Sequence, residues 1–421
     1  MKLLKTNGRA AKQTAQVLAQ LEQRSGSSLE TVLPAVRKIL SKVRKNGDEA
    51  LQSFATKFDS LEKDQDIRVS EAETAAAWEQ LDPTLQQALK TAGDNIRAFA
   101  RRQLPKSFEF SPVPGLTTGQ QVRPIPSVGC YVPGGRHPLP STMLMTVIPA
   151  QVAGVPRIVV TSPRPAPETL ATAHLLGVTE FYRIGGAHAI AALAYGTESI
   201  AKVAKIVGPG NLYVTAAKRE VAFDCAIDML AGPTEIVVTS DLGHPASIAA
   251  DLVAQAEHDP ETLAILITTN ELLAREVLAE TKLQARQNPV AKQAIAKNGY
   301  VFLASTPEES HAITNRLAPE HLTVDSEADL AWVQNAGSIF IGQHSPQPMG
   351  DYISGPNHTL PTGGMALIRG GLSVNDFVKL ITVQQYSSEA LAELGPKAIR
   401  IAEAEGLTAH AHAIRARIEA Q

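Results

Sequence analysis

Apolar residues recur at helical spacing near the start of the chain and in short strand-like runs through its middle. Val36, Ile39, Leu40 and Val43 fall at i, i+3, i+4 and i+7, one face of a helix, and this stripe stops at Asn46-Gly47. A second stripe starts after Asp48 with Leu51, Phe54, Ala55 and Phe58. The first 60 residues therefore predict peripheral helices, and the polar residues before Ser27 predict an arm. From Ile125 to Gly342 the texture changes to α/β alternation. Apolar runs at 157–161, 181–184, 236–239, 263–268, 300–303 and 338–342 are separated by helix-length segments. Strands buried on both faces lose their polar alternation, so such runs predict parallel sheets with crossover helices, and their spread suits two sheets better than one. After Gly370-Gly371 the pattern is mainly helical from Phe377 to Gln421, a separate small helical domain.

Composition narrows the class. A chain of 421 residues with 44% hydrophobic content can bury a large core, and its length suits two main domains with appendages. The formal charge of −3 comes without any block of Lys or Arg, so nucleic acid is not an expected partner. Met1-Lys2-Leu3-Leu4-Lys5 has the charge of a signal peptide, but Thr6-Asn7-Gly8-Arg9 follows where an apolar stretch would be needed. This reads as a mature, soluble N-terminus. The longest apolar region, Met143 to Val160, is interrupted by Pro149, Gln151, Pro156 and Arg157, which excludes a spanning helix there. Cys130 and Cys225 are too few for a disulfide framework or a thiolate metal site. A reducing cytoplasm fits, and any metal must be held by imidazole, carboxylate or amide.

Two Glu-His pairs carry the candidate chemistry: Glu257-His258 and Glu320-His321. Before the first, Ile248 and Leu252 set an apolar helical face that Gln255 continues at i+7, placing an amide where packing favours carbon. Burying that amide without a partner costs about 1–3 kcal/mol. His258 follows one turn later, and Asp259-Pro260 ends the helix because the residue before proline avoids the α region. Two readings follow: a half-built zinc site needing two more ligands, or a helix-ending histidine with Gln255 bonded to backbone.

Glu320-His321 lies between Pro319 and a strand beginning at Leu322, so the two side chains are expected to project to different sides. Such a pair suits two proton transfers better than one ion, with His321 as base and Glu320 as acid/base for a second step. A surface glutamate beside a strand-edge histidine would read the same way. Asp351 and His358 share a loop rich in Gly and Pro, which is either functional or an ordinary turn capped by Asp351. Glu405, His410 and His412 near the C-terminus do not share one helical face across Gly406, and read as separate tasks or a solvated surface. Turns at Pro133-Gly134-Gly135, Gly185-Gly186 and Gly208-Pro209-Gly210-Asn211 each precede a helix whose N-terminus attracts anions. None is a G-x-G-x-x-G fingerprint, and tight packing explains them equally well.

Taken together, these segments resemble the histidinol dehydrogenase family. The resemblance spans about Ser28 to His412. It is carried by Gly129 to Gly135, Gly185 to Tyr195, Gly208 to Asn211, Ile227 to Glu235, Gln255 to His258, Pro319 to Leu322, Gly350 to Tyr352, Asn357-His358 and Leu407 to His410. No single motif is specific, but this many in order are. The resemblance implies an NAD-dependent, four-electron oxidation of L-histidinol through histidinal to L-histidine. It implies one zinc per subunit on Gln255, His258, Asp351 and His410, with His410 supplied by the partner subunit of a domain-swapped homodimer. His321 would be the general base and Glu320 would activate water. Thr234, His358 and Glu405 would contact the amino alcohol, alongside the zinc ligands and His321, while Tyr131, His188 and Asn211 match positions touching NAD.

The implied fold is α/β, with two Rossmann-like parallel-sheet domains, one inserted in the other. The boundaries are an arm over 1–27, a first domain over 28–128 and 235–372 holding metal and catalytic residues, an inserted NAD-contacting domain over 129–234, and a helical domain over 373–421. Two positions depart from the family pattern: His188 stands where Gln is common, and Thr234 where Ser is more frequent. Thr234 keeps the hydroxyl, whereas His188 alters the detail of NAD binding. The rival functions are a zinc- and NAD-dependent dehydrogenase of the same family acting on another polar alcohol, such as a sulfonated diol, and a catalytically silent metal- or nucleotide-binding protein.

Overall fold

A computed structural model describes residues 1–24, 29–62, 65–134 and 138–420. Ser27, Ser28, Gly135 and Gln421, which bound features of the sequence reading, lie outside the described residues. The chain opens with strand β1 (Lys2–Lys5), helix α1 (Ala11–Glu22) and helix α2 (Leu29–Phe58). Next come β2 (Arg68–Val69), α3 (Glu71–Gln80), α4 (Pro83–Gln103), β3 (Phe108–Val113) and β4 (Leu116–Pro124). A first alternating stretch holds β5 (Val128–Tyr131), α5 (Pro140–Ala153), β6 (Ile158–Thr161), α6 (Pro167–Leu175), β7 (Glu180–Tyr182), α7 (Gly186–Tyr195), β8 (Lys205–Val207), α8 (Leu212–Val221) and β9 (Ala226–Ile227). A second holds β10 (Glu235–Thr239), α9 (Pro245–Ala256), β11 (Leu263–Thr268), α10 (Glu271–Gln284), α11 (Pro289–Asn298), β12 (Gly299–Leu303), α12 (Pro307–Leu317), β13 (His321–Val324) and β14 (Ser338–Ile341). The chain ends with α13 (Pro348–Tyr352), β15 (Val378–Tyr386), α14 (Ser388–Ala404) and α15 (Thr408–Glu419).

Among the described residues the strands form two six-stranded sheets and one of three strands. The first large sheet, ordered β1-β12-β11-β10-β13-β14, is parallel throughout. The second, ordered β2-β7-β6-β5-β8-β9, is parallel except for its edge strand β2. Leaving out the edge strands β1 and β2, both run third-second-first-fourth-fifth, the doubly wound order that reverses beside its first strand. Each is buried on both faces by its own pair of apolar clusters. The third sheet, β15-β4-β3, is antiparallel. No helix among the described residues is long and apolar enough to cross a membrane.

The expected break in the first helical stripe is present: Gly47, at φ 50 and ψ −130, interrupts α2, and Asp48 N–H donates to Glu198. Three expectations change. Residues 28–128 were assigned with 235–372, yet α2 packs on α7 and α8, α3 on α6 and α4 on α5, so this segment covers the sheet of 128–227. The reason is burial: the stripe through Leu33, Val36 and Leu40 fits the apolar faces of α7 and α8. The arm is structured, since Leu3 and Leu4 pair with Val301 and Phe302 and extend the other sheet by one strand. The tail is not helical from Phe377, because Val378 to Tyr386 pairs with β4 before α14 begins.

Turns gather at the C-terminal ends of β5, β7 and β8. Gly208 follows β8 at φ +112, and a Cβ there would collide with the Tyr131 carbonyl oxygen at the end of β5. A side chain would be strained by its backbone and its neighbour alike. Gly208→Ala is therefore expected to lower unfolding free energy by roughly 1–3 kcal/mol, read by urea denaturation. Unchanged stability would show that the turn relaxes freely.

Candidate active site

Four segments meet at the N-terminal ends of β10 and β13. Glu235 opens β10 with Thr234 just before it, and His321 opens β13, which pairs beside it, with Glu320 just before it. Gln255 comes from the last turn of α9, because that helix runs back against the strands. It is 2% exposed, as its place on the stripe with Ile248 and Leu252 predicts. Asp351 and His358 come from α13 and the loop after it; Asp351 lies on a short helix where a plain loop was expected.

The Glu320 carboxylate is the hub. Its Oε2 accepts from Thr234 Oγ1 at 2.6 Å and from Glu235 N–H at 2.8 Å, while Gln255 Nε2 donates to Thr234 Oγ1. His321 Nδ1 lies 3.1 Å from the Glu235 carbonyl oxygen. A carbonyl can only accept, so Nδ1 carries a proton and Nε2 is left as the basic nitrogen. His321 Nε2 is 3.7 Å from Asp351 Oδ1 and is buried with no hydrogen-bond partner among the described residues, as is Gln255 Oε1. The two adjacent side chains do not diverge as expected: His321 Nδ1 is 3.6 Å from Glu320 Oε2. Glu320 precedes the strand and escapes its alternation, so Thr234 and the Glu235 amide draw it toward the imidazole.

Charge follows from this geometry. Burial pushes Glu320 up to about 7, only partly offset by His321, Thr234 and the Glu235 amide. Burial opposes a charged His321, but Glu320 and then Asp351 outweigh it and raise the imidazole above its ordinary value. The two groups are thus one coupled, buried pair in which each shift depends on the other's charge. For Asp351, burial is outweighed by His321 and His358, which hold it below the usual carboxylate range. Burial lowers His358, whose Nδ1–H donates to the Asp351 carbonyl at 2.8 Å and whose Nε2 lies 3.3 Å from Thr142 Oγ1. A cavity of about 380 Å³ beside the pair is lined by His321, Phe340, Met349, Asp351, Asn357 and His358.

The other expected residues sit differently. His258 is exposed just beyond α9, close enough for its charge to bear on His358. Glu405 caps the end of α14 and His410 lies in α15, both exposed; among the described elements these two helices pack mainly on each other. One chain therefore does not bring them to Gln255 and Asp351, and no three His, Cys, Asp or Glu side chains among the described residues gather to hold a metal. In the second sheet, Tyr131 is buried with its hydroxyl accepting from Gly186 N–H, and Asn211 Oδ1 caps α8. His188 is 1% exposed, bonded at 2.7 Å to Asp59 and packed near Phe54 and Phe58. Its ring therefore ties α7 to α2. Asp59 also accepts from Gly185 N–H.

Sequence reasoning missed Glu235, although a carboxylate opening an otherwise apolar strand was a visible signal. It also missed Asp251 and Gln347. Asp251 accepts from the Gln347 backbone N–H, and the Gln347 side chain donates to Asp351 Oδ2 at 2.9 Å. Burial raises the Asp251 carboxyl to about 6, against that hydrogen bond. Its folded value lies above the unfolded one, so the stability it contributes is present below about pH 4 and lost as pH rises through about 6. Asp251→Asn should be more stable than the parent at pH 8 by about 1–2 kcal/mol, allowing for partial exposure, with the two converging near pH 4. Urea unfolding at both pH values checks this, and a pH-independent difference would contradict it.

Comparison with known proteins follows the same lines. A family model described as histidinol dehydrogenase matches residues 22–418. A histidinol dehydrogenase of Bacillus cereus is 48% identical over 401 residues, covering 93% of each chain. One of Methanosarcina barkeri is 45% identical over 406 residues, again covering 93% of each. The crystal structure of histidinol dehydrogenase from Elizabethkingia anophelis superposes with a TM-score of 0.93 at 36% identity, covering 100% of this chain and 98% of that one.

Proposed function

The chain belongs to the histidinol dehydrogenase family, and from that premise we propose that zinc and NAD serve its site in the two-step oxidation of L-histidinol. It is an oxidoreductase of histidine biosynthesis, with histidinol as the small-molecule substrate its family implies. One observation carries the mechanistic reading: a buried Glu320-His321 pair in which His321 Nδ1 is anchored and its Nε2 has no partner among the described residues, with His321 lining a 380 Å³ cavity.

Gln255 Oε1, without a partner among the described residues, with His258 just beyond its helix α9 and Asp351 on α13, which packs against α9, fits the nitrogen and oxygen donors that zinc accepts. Gln255, His258 and Asp351 would hold the ion from one chain and His410 from a second copy. When bound, zinc would supply a Lewis-acidic anchor for the substrate, and NAD would supply the hydride acceptor. His321 Nε2 takes the hydroxyl proton as the carbinol carbon is oxidised to the aldehyde, histidinal. Glu320, poised near neutrality, takes a proton from the water that adds to this aldehyde. His321 takes the hydroxyl proton of the hydrate in the second oxidation, giving L-histidine. Thr234 and His358, with Glu405 of a second copy, would hold the amino alcohol, and a closed site keeps the aldehyde from escaping.

Exposed Leu380, Ile381, Val383 and Tyr386 on β15, beside the isolated α14 and α15 pair, support a homodimer in which the C-terminal region is exchanged. The glycine turns and the Asn211 cap at the C-terminal edge of the second sheet support NAD contacts there, with Tyr131 and His188 acting through the Gly185-Gly186 turn. Two buried, free cysteines support a reducing, cytoplasmic setting. Zinc-loaded protein with excess NAD is expected to form two NADH per L-histidinol consumed, followed by absorbance and product analysis. A limit near one, or no NADH, would contradict the double oxidation.

A further inference from the structure

Glu235 carries a carboxylate that is 3% exposed at the start of β10. A charge so placed needs a full set of donors, because burying an unpaired carboxylate is costly. Arg24 supplies two, Nε to Oε1 and Nη2 to Oε2, both at 2.7 Å, the fork geometry in which guanidinium and carboxylate match best. Gly363 N–H supplies a third to Oε1 at 2.8 Å. Arg24 is itself fixed, with Nη1 donating to the Leu21 carbonyl and Nη2 to the Leu317 carbonyl, each at 2.7 Å. Leu317 ends α12 just before the segment carrying Glu320 and His321.

The main chain of Glu235 does different work from its side chain. Its N–H donates to Glu320 and its carbonyl accepts from His321 Nδ1, so one residue orients both members of the proton-handling pair. We propose that Arg24 and Glu235 form a positioning pair for this site: the Arg24 fork fixes the Glu235 side chain, and the main chain so fixed holds Glu320 and His321 in register. The N-terminal segment is then part of the active centre's support, though Arg24 touches no reacting atom.

This rests on the histidinol-oxidation reading for its kinetic test and on geometry for an independent one. With full-length, zinc-loaded protein, Arg24→Ala is expected to lower kcat roughly 10- to 100-fold, leaving both KM values within about 2-fold. Guanidinium ion below denaturing concentration should restore part of the lost kcat, and equal sodium chloride should not. Arg24→Lys keeps the charge but not the fork and should fall between parent and Arg24→Ala, which keeps the proposal testable if the alanine variant does not fold. Without substrate, hydrogen exchange in Arg24→Ala should quicken in peptides spanning 234–238 and 319–324, as well as around its direct contacts at Leu21, Leu317 and Gly363, and stay unchanged in segments that touch neither Arg24 nor Glu235. Unchanged kcat, a loss that guanidinium does not specifically recover, or unchanged exchange at those two segments would overturn the proposal. A parent that does not oxidise histidinol refutes the assigned activity, and the exchange result then decides this proposal alone.

Discussion

Glu320 is a carboxylate taken almost wholly out of water, and the site depends on how that burial is compensated. Thr234 Oγ1 and the Glu235 amide satisfy its Oε2, while His321 lies within 3.6 Å. These contacts offset only part of the desolvation, which is why the carboxyl rises to about 7 and can give or take a proton under ordinary conditions. A more exposed glutamate would stay ionised, and one with more donors would be locked as a carboxylate. The same hub joins Gln255 through Thr234, and His321 lies between it and Asp351, so two of the candidate zinc ligands and the Glu320-His321 pair share one network.

The two large sheets share a strand order but use opposite edges. In the sheet of β5 to β9 the glycine turns and the Asn211 cap lie at the C-terminal ends of the strands, where doubly wound folds usually receive ligands. In the other sheet that edge is filled by its own side chains. Asp325 accepts from Ser240 and from the Asp241 and Leu242 amides, and Asp241 accepts from Thr268 and Thr269. The candidate site lies instead at the N-terminal ends of β10 and β13. Asn357 donating to the Met145 carbonyl, and Thr142 beside His358, tie α5 of one unit to the loop carrying the site of the other.

Local signals were legible in the sequence where one element decides the outcome. The break at Gly47, the parallel strands of the middle, and Gln255 as an amide on an apolar stripe all follow from spacing. What escaped depends on distant partners. β1 offers only Leu3 and Leu4, and its role appears only beside β12. β15 pairs with β4, joining Tyr386 to Leu116, which no local window reveals. Arg24 and Glu235 lie 211 positions apart. Adjacent Glu320 and His321 were expected to diverge by strand alternation, but Glu320 stands before the strand and answers to Thr234 and Glu235.

The division of labour between Glu320 and His321 is tested most directly by supplying histidinal with NAD to Glu320→Gln and His321→Asn and comparing this second half-reaction with oxidation of L-histidinol to the aldehyde. Glu320→Gln should retain most of the first oxidation and lose the second, because addition of water to the aldehyde fails. His321→Asn should lose both. If both variants oxidise histidinal as fast as the parent, or if both lose the two half-reactions equally, the separate roles drawn from the buried pair are wrong.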